Sequence, residues 1–195
     1  MLQQKLKDYN IILASGSPRR QEFFKGLGID FEIRIRPIVE NFPDHLKREE
    51  ISNYLAKLKS VPFNKELKDN DILITSDTIV WHQDEALGKP KDENQAFEMI
   101  QSMSGKTHEV MTSICITTKN SQKTVHDITK VTFKEFTDEE IWYYIQNFNP
   151  LDKAGAYGIQ EWIGQIGVTN IEGSYFNVMG LPVHLVYQTL TELIN

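Results

Sequence analysis

The sequence predicts an α/β fold, a mixed sheet flanked by helices and bilobed around a cleft, carried as a single domain over residues 1–195. Two observations predict it. Short apolar runs of strand length alternate along the chain with longer stretches whose apolar residues recur at helical spacing. Most connections leave room for a parallel crossover, but one pair of strand-like runs is joined so tightly that only an antiparallel hairpin fits.

Residues 1–9 are polar and read as frayed or loosely helical. Ile11, Ile12, Leu13 and Ala14 have the length and bulk of a buried strand. Glycine lets the chain turn at Ser15–Gly16, Ser17 offers an N-cap hydroxyl, and Pro18 suits the first helical position. The helix runs to Leu27 and ends at Gly26 and Gly28, so Arg19 and Arg20 fall in its first turn. The helix dipole disfavours cations there. Two guanidinium groups beside unpaired backbone N–H groups make an anion site, with a solvated helix start as the plain alternative.

Phe31, Ile33 and Ile35 alternate with Glu32, Arg34 and Arg36, the pattern of a half-buried strand. A loop over 37–43 carries Glu40. Ile51, Tyr54, Leu55 and Leu58 mark an amphipathic helix over 48–59, with Lys59 at the end where a cation is favoured in any case. Residues 71–80 give a second strong strand, and Asp77 lies inside it. A carboxylate in an apolar run emerges into a cleft or finds a cation or metal, because burial without a partner is costly, with a solvent-facing strand position as the plain alternative.

Gly88-Lys89-Pro90 is a tight turn bearing a lysine, and Asp92 with Gln95 resembles a capping box. Ala96, Met99, Ile100 and Met103 form the buried face of the helix that follows, which Gly105 ends. The alternating run 110–117, a turn at 119–122 and a second run over 124–136 form the hairpin. His126 and Asp127 on its second arm point to opposite faces, so they make no dyad. Thr137 and Glu140 form a capping box for a helix with Ile141, Tyr144, Ile145 and Phe148 on one face, closed by Pro150. Residues 152–160 are glycine-rich, which permits a structural turn or close approach by a flat ligand. Strands are expected over 166–171 and, after a turn at Glu172–Gly173, over 174–178. Pro182 opens a last helix with Val183, Val186, Tyr187, Leu190 and Ile194 on its apolar stripe.

Composition bounds the function. With 40% hydrophobic and 25% charged residues the chain is an ordinary globular one, and a net charge of -6 argues against nucleic acid or an acidic membrane as partner. Four apolar residues in a row near the N-terminus are too few for a signal peptide or a membrane span. The single cysteine, Cys115, cannot form an intramolecular disulfide and fits a reducing cytoplasm. His45, His82, His108 and His184 lack zinc-site spacing. Gly88-Lys89 is followed by proline, so there is no P-loop. What stands out is a set of cations, Arg19, Arg20, Lys59 and Lys89, in an acidic protein, with Asp77 and Glu40 as oxygen donors suited to magnesium.

The residues that carry these features also carry a resemblance. Ser15-Gly16-Ser17-Pro18-Arg19-Arg20, Ser76-Asp77-Thr78-Ile79-Val80, Gly88-Lys89-Pro90, Ser104-Gly105-Lys106-Thr107-His108, Tyr157-Gly158-Ile159-Gln160 and the run from Gly173 to Pro182 are similar, in order, to the motifs of the Maf family. The resemblance implies a fold akin to that of inosine triphosphate pyrophosphatases, with a nucleotide in the cleft. It implies hydrolysis of a nucleoside triphosphate to the monophosphate and pyrophosphate, a divalent cation (Mg2+ or Mn2+), a cytoplasmic location and a homodimer. The Ser-Pro-Arg-Arg, Asp-Thr and Tyr-Gly-Ile-Gln forms resemble the branch acting on dTTP and UTP, including modified pyrimidine nucleotides, rather than the branch acting on 7-methyl-GTP. By the same resemblance Asp77 is the catalytic proton acceptor; by residue chemistry alone it is a base or a magnesium ligand, with Glu40 as the second carboxylate. Arg19, Thr78 and Gln160 match positions for base selection; Ser15, Ser17, Arg20, Lys59 and Lys89 are assigned to phosphate. Glu161 departs from the branch, which has glycine after the glutamine. The rival expectation is a non-catalytic regulator of septum formation and cell-division arrest.

Overall fold

The computed structural model describes residues 1–194. Its organising element is the strand β3 (Asp71–His82), which follows β1 (Asn10–Leu13) and β2 (Glu32–Ile33) in the chain. The sheet continues with β4 (Glu85–Leu87), β5 (Thr107–Thr117), β6 (Gln122–Phe133) and β7 (Val168–Glu172), in the order β2-β1-β3-β5-β6-β7 with β4 paired to β3. Almost every residue of β3 is buried, as expected of a strand covered on both faces. The helices are α1 (Leu2–Lys5), α2 (Pro18–Gly26), α3 (Glu49–Ser60), α4 (Glu93–Met103), α5 (Asp138–Phe148), α6 (Trp162–Gly167), α7 (Tyr175–Val178) and α8 (Val183–Leu193). This is the mixed α/β fold that the sequence predicts.

The chain divides into two compact units. One comprises Met1–Asp77, Thr112–Asp127 and the segment from Gly180 onward; the other comprises Thr78–Met111 and Ile128–Met179. In the first unit β1 pairs in parallel with both β2 and β3. Its core packs Ile11, Leu13, Ile72 and Ile74 against Phe24 of α2 and Val186 and Leu190 of α8. Ile12 and Leu73, one residue out of phase, face the opposite way and pack on Phe63 and Leu67. Period-two alternation thus splits β1 and β3 between two apolar clusters. In the second unit the core gathers Ile100 and Met103 of α4, Ile141, Tyr144 and Ile145 of α5, and Val131 and Phe133 of β6.

Several local expectations hold. Asp92 caps α4 by accepting from Gln95 N at 2.8 Å, and Thr137 with Glu140 forms a full capping box on α5. The hairpin closes with Thr118 N donating to Ser121 O, and Phe133 N donates to Lys106 O at its far end, which sets an antiparallel register. His126 and Asp127 have separate partners, Asn53 at 3.3 Å and His184 at 3.8 Å.

Others need correction. The run from Phe31 to Ile35 is a strand only at Glu32–Ile33, and Ile33 and Ile35 are exposed, because the backbone leaves the sheet after pairing with Ile12 and Leu13. Ser17 occupies the N-cap of α2 but its hydroxyl makes no cap bond; its N–H donates instead to Ser15 Oγ at 3.2 Å. Residues 1–9 are better anchored than expected, since Leu2 and Leu6 are buried in the first unit's core. Residues 162–167 form the helix α6, so the strand expected over 166–171 starts only at Val168. Finally, 174–178 is not a returning strand. Ser174 accepts from Asn177 N and starts α7, while the Asn177 amide donates to Val110 O and Thr129 Oγ1, bonds that a pleated strand would break.

Candidate active site

Strand parity decides what surrounds Asp77. It shares a face of β3 with Leu73 and Thr75, the face that α3 covers. Thr75 Oγ1 donates to Ala56 O at 2.6 Å, fixing α3 against the strand. Lys59 follows Ala56 by three residues and two strand positions separate Thr75 from Asp77, so the next contact along is lysine to aspartate. Lys59 Nζ lies 2.6 Å from Asp77 Oδ1 and 3.2 Å from Glu40 Oε1. The lysine that the sequence offers as an ordinary solvated helix end is therefore an ammonium clasped between two carboxylates.

Asp77 is 5% exposed. Burial pushes its carboxyl above the usual range; Lys59 opposes this by charge and by hydrogen bond, Arg20 opposes it more weakly, and Glu40 adds to the rise. A carboxyl poised upward next to a cation is a common condition for a general base.

On the other face, Arg20 reaches across from the first turn of α2. Its Nε donates to Gly180 O at 2.7 Å and its Nη1 to Ser76 O at 2.9 Å. Those carbonyls hold the guanidinium fixed beside the strand that carries Asp77. Burial lowers its pKa from the usual arginine range; Asp77 and Glu40 oppose this, and the adjacent Arg19 charge reinforces it. Ser15 is buried, and Gln21 Nε2 donates to its carbonyl at 3.3 Å. The structure thus brings Ser15, Ser17, Arg19, Arg20, Glu40, Lys59 and Asp77 into the first unit, and Thr78, Lys89 and Gln160 into the second.

Asp77 and Glu40 have the donor chemistry that a divalent cation would take. Both are hard oxygen ligands, and the Lys59 ammonium bonded to both marks a place where positive charge is already stabilised. Among the described residues no group of three or more histidine, cysteine or acidic side chains converges. The pair fits the magnesium mode in which water and substrate phosphates complete the shell.

In the second unit Lys89 is exposed after β4, and Gly88 O accepts from Gly155 N at 3.0 Å. Gly155 has a φ of +67°, and a Cβ there would stand 2.8 Å from Val80 Cγ2. At this position the glycine-rich segment serves the chain's own close packing. Sequence reasoning missed the polar cluster that follows it. Lys153, 8% exposed, lies 2.7 Å from Asp152 and 3.3 Å from Glu161 Oε1. Tyr144 donates to Glu161 Oε2 and accepts from Gly158 N at 3.0 Å. Burial, reinforced by that carboxylate, drives the Tyr144 phenol far above its usual range, so it stays a donor. The sequence signal for this cluster is only that the glycine-rich run contains a lysine and ends against an unexpected glutamate.

Residues 10–193 match the family Maf, described as Maf-like protein. The chain belongs to the Maf family. It is 61% identical over 194 residues to a dTTP/UTP pyrophosphatase of Flavobacterium johnsoniae, with all of both chains covered. It is 60% identical over 195 residues to a protein of the same name from Christiangramia forsetii, again with both chains covered in full. A third, from Phocaeicola vulgatus, is 51% identical over 191 residues, covering 97% of this chain and 99% of that one. Among solved structures, the Ham1 protein of Staphylococcus aureus overlaps with a TM-score of 0.48 at 16% identity, covering 94% of this chain and 99% of that one. That overlap is too loose to bear on function.

Proposed function

We propose that this Maf protein hydrolyses dTTP and UTP at the α–β anhydride, releasing the nucleoside monophosphate and pyrophosphate. The observation that carries the reading is the buried Asp77 clasped by Lys59 with Arg20 fixed alongside, in a chain that matches proteins named dTTP/UTP pyrophosphatase along its whole length. A triphosphate repels an incoming nucleophile, so catalysis of its hydrolysis depends on cations already in position and on a base for water. Lys59 and Arg20 supply the fixed positive charge, and Lys89 is assigned to phosphate on the sequence alone. Asp77 accepts the proton of the attacking water and orients it through its Lys59-bound carboxylate. Ser15 and Ser17 offer their hydroxyls to phosphate oxygens. Thr78 and Gln160 hydrogen-bond the base, and Arg19 completes its selection.

A divalent cation, Mg2+ or Mn2+, belongs to the same reading. Asp77 and Glu40 would hold it, and when bound it neutralises phosphate charge. A cytoplasmic enzyme is supported by the lone, buried Cys115. Among the described residues no helix is long and apolar enough to cross a membrane. A homodimer rests on the family resemblance alone. The deciding experiment incubates the purified chain and magnesium with a panel of triphosphates and measures pyrophosphate. Release from dTTP and UTP ahead of 7-methyl-GTP is expected. Release from none of them overturns the reading in favour of a non-catalytic regulator.

A further inference from the structure

We infer that Glu161 is a positioning residue that sets which end of the Gln160 amide meets the base, and thereby selects thymine and uracil over cytosine. The inference rests on the function proposed above, with Gln160 as a base contact. Glu161 is one residue beyond Gln160, yet its side chain turns inward and is only 20% exposed. Its Oε2 accepts from Tyr144, whose hydroxyl in turn accepts from Gly158 N at 3.0 Å. Its Oε1 lies 3.3 Å from Lys153 Nζ and accepts from Gln160 Nε2 at 3.4 Å.

The chemistry of that last contact is directional. A carboxylate facing a lysine and a phenol donor presents acceptor oxygens, so the Gln160 amide turns its nitrogen toward Glu161. Its carbonyl oxygen is then the atom available to a ligand. An acceptor in that place matches the imide N3–H of thymine or uracil and opposes cytosine, whose ring N3 is itself an acceptor. The backbone is fitted to this arrangement. A Cβ on Gly158 would fall 2.8 Å from Glu161 Cδ and 2.9 Å from Gln160 Nε2, so the glycine leaves room for both side chains to fold over it. Gln165 Nε2 donates to Gln160 O at 3.3 Å and secures the peptide from the other side.

Glu161→Gln tests this. The amide is nearly isosteric but can donate as well as accept, so it lets the Gln160 amide turn over. The ratio of kcat/KM for UTP to that for CTP is expected to fall by about tenfold or more, mainly through KM for UTP. Tyr144→Phe, which releases the other Glu161 oxygen, should move the ratio in the same direction by less. A loss shared equally by UTP and CTP means a merely structural role and overturns the inference, as does an unchanged ratio. Calorimetric titration with UMP and CMP reads the same preference without turnover. If the native chain releases no pyrophosphate, the proposed function fails, while UMP binding that is preferred in the native chain and not in Glu161→Gln still upholds this inference. UMP bound no better than CMP by the native chain overturns it.

Discussion

Replacing Asp77 by asparagine should separate catalysis from stability in opposite directions. The asparagine keeps the shape of the side chain and can still accept from Lys59 Nζ, which lies 2.6 Å from Asp77 Oδ1. It cannot take a proton from water, so kcat/KM for dTTP should fall by about 10²–10⁴-fold. The stability effect follows from the direction in which burial moves the carboxyl. Its folded pKa is above the unfolded value of 3.8. The folded chain therefore holds that proton more tightly than the unfolded one, and stability declines as pH rises from 3.8 through the folded value. Above that window the fold carries a fixed penalty of about 1.4 kcal/mol for each unit of elevation, and asparagine removes it. Urea unfolding near neutral pH should find the variant more stable than the native chain. The gap should close once the pH is below 3.8 and Asp77 is protonated in both states. Near-native turnover would refute Asp77 as the base. A variant less stable than native at neutral pH would refute the claim that burial outweighs Lys59.

Other perturbations probe the neighbours. Lys59→Met removes the largest influence holding the Asp77 carboxyl down, so the acid limb of the kcat/KM–pH profile should move to higher pH, whatever happens to the maximum rate; an unmoved limb would show that another group sets it. His108, whose ring bonds Tyr157 OH at 2.7 Å, is driven by burial, with some help from His82, down to about 3. Its neutral form stabilises the fold above the unfolded value of 6.5, and that stability is lost as pH falls from there toward about 3. His108→Gln should therefore reduce the loss of stability between about pH 7 and pH 5 by about 2 kcal/mol in urea titrations. Thr137→Ala removes the capping box of α5 and should lower stability by about 1 kcal/mol without changing turnover, which a paired unfolding and rate measurement checks.

Where period and local capping agree, the sequence is easily read. The α4 and α5 starts, the hairpin and the buried strands β1 and β3 follow from side-chain spacing and from residues that bond their own backbone. Readings fail where a longer-range partner wins. Ile33 and Ile35 alternate correctly, but β1 offers register for only two residues of their strand. Ser174 and Asn177 favour a turn of helix because buried partners on β5 and β6 take the Asn177 amide. For the site, residue types were legible and their alliances were not. Nothing in the spacing of 59 and 77 shows that a helix-end lysine meets a strand aspartate; the Thr75–Ala56 bond that aligns the two elements belongs to the fold.

The same contrast gives Glu161 its meaning. Seen as a string, it is an added negative charge beside the glutamine proposed to contact the base, and it looks like a liability. In the fold its carboxylate is taken up by the protein's own donors, because Tyr144 occupies one oxygen while Lys153 and Gln160 share the other. A half-buried carboxylate depends on its partners being in place, and here those partners include Gln160 itself. A local rule is broken and a positional constraint gained at the same place, which is where sequence patterns and functional demands are expected to part. Asp77 is a second case, since its burial lowers stability at neutral pH while raising its proton affinity toward the range in which a base works.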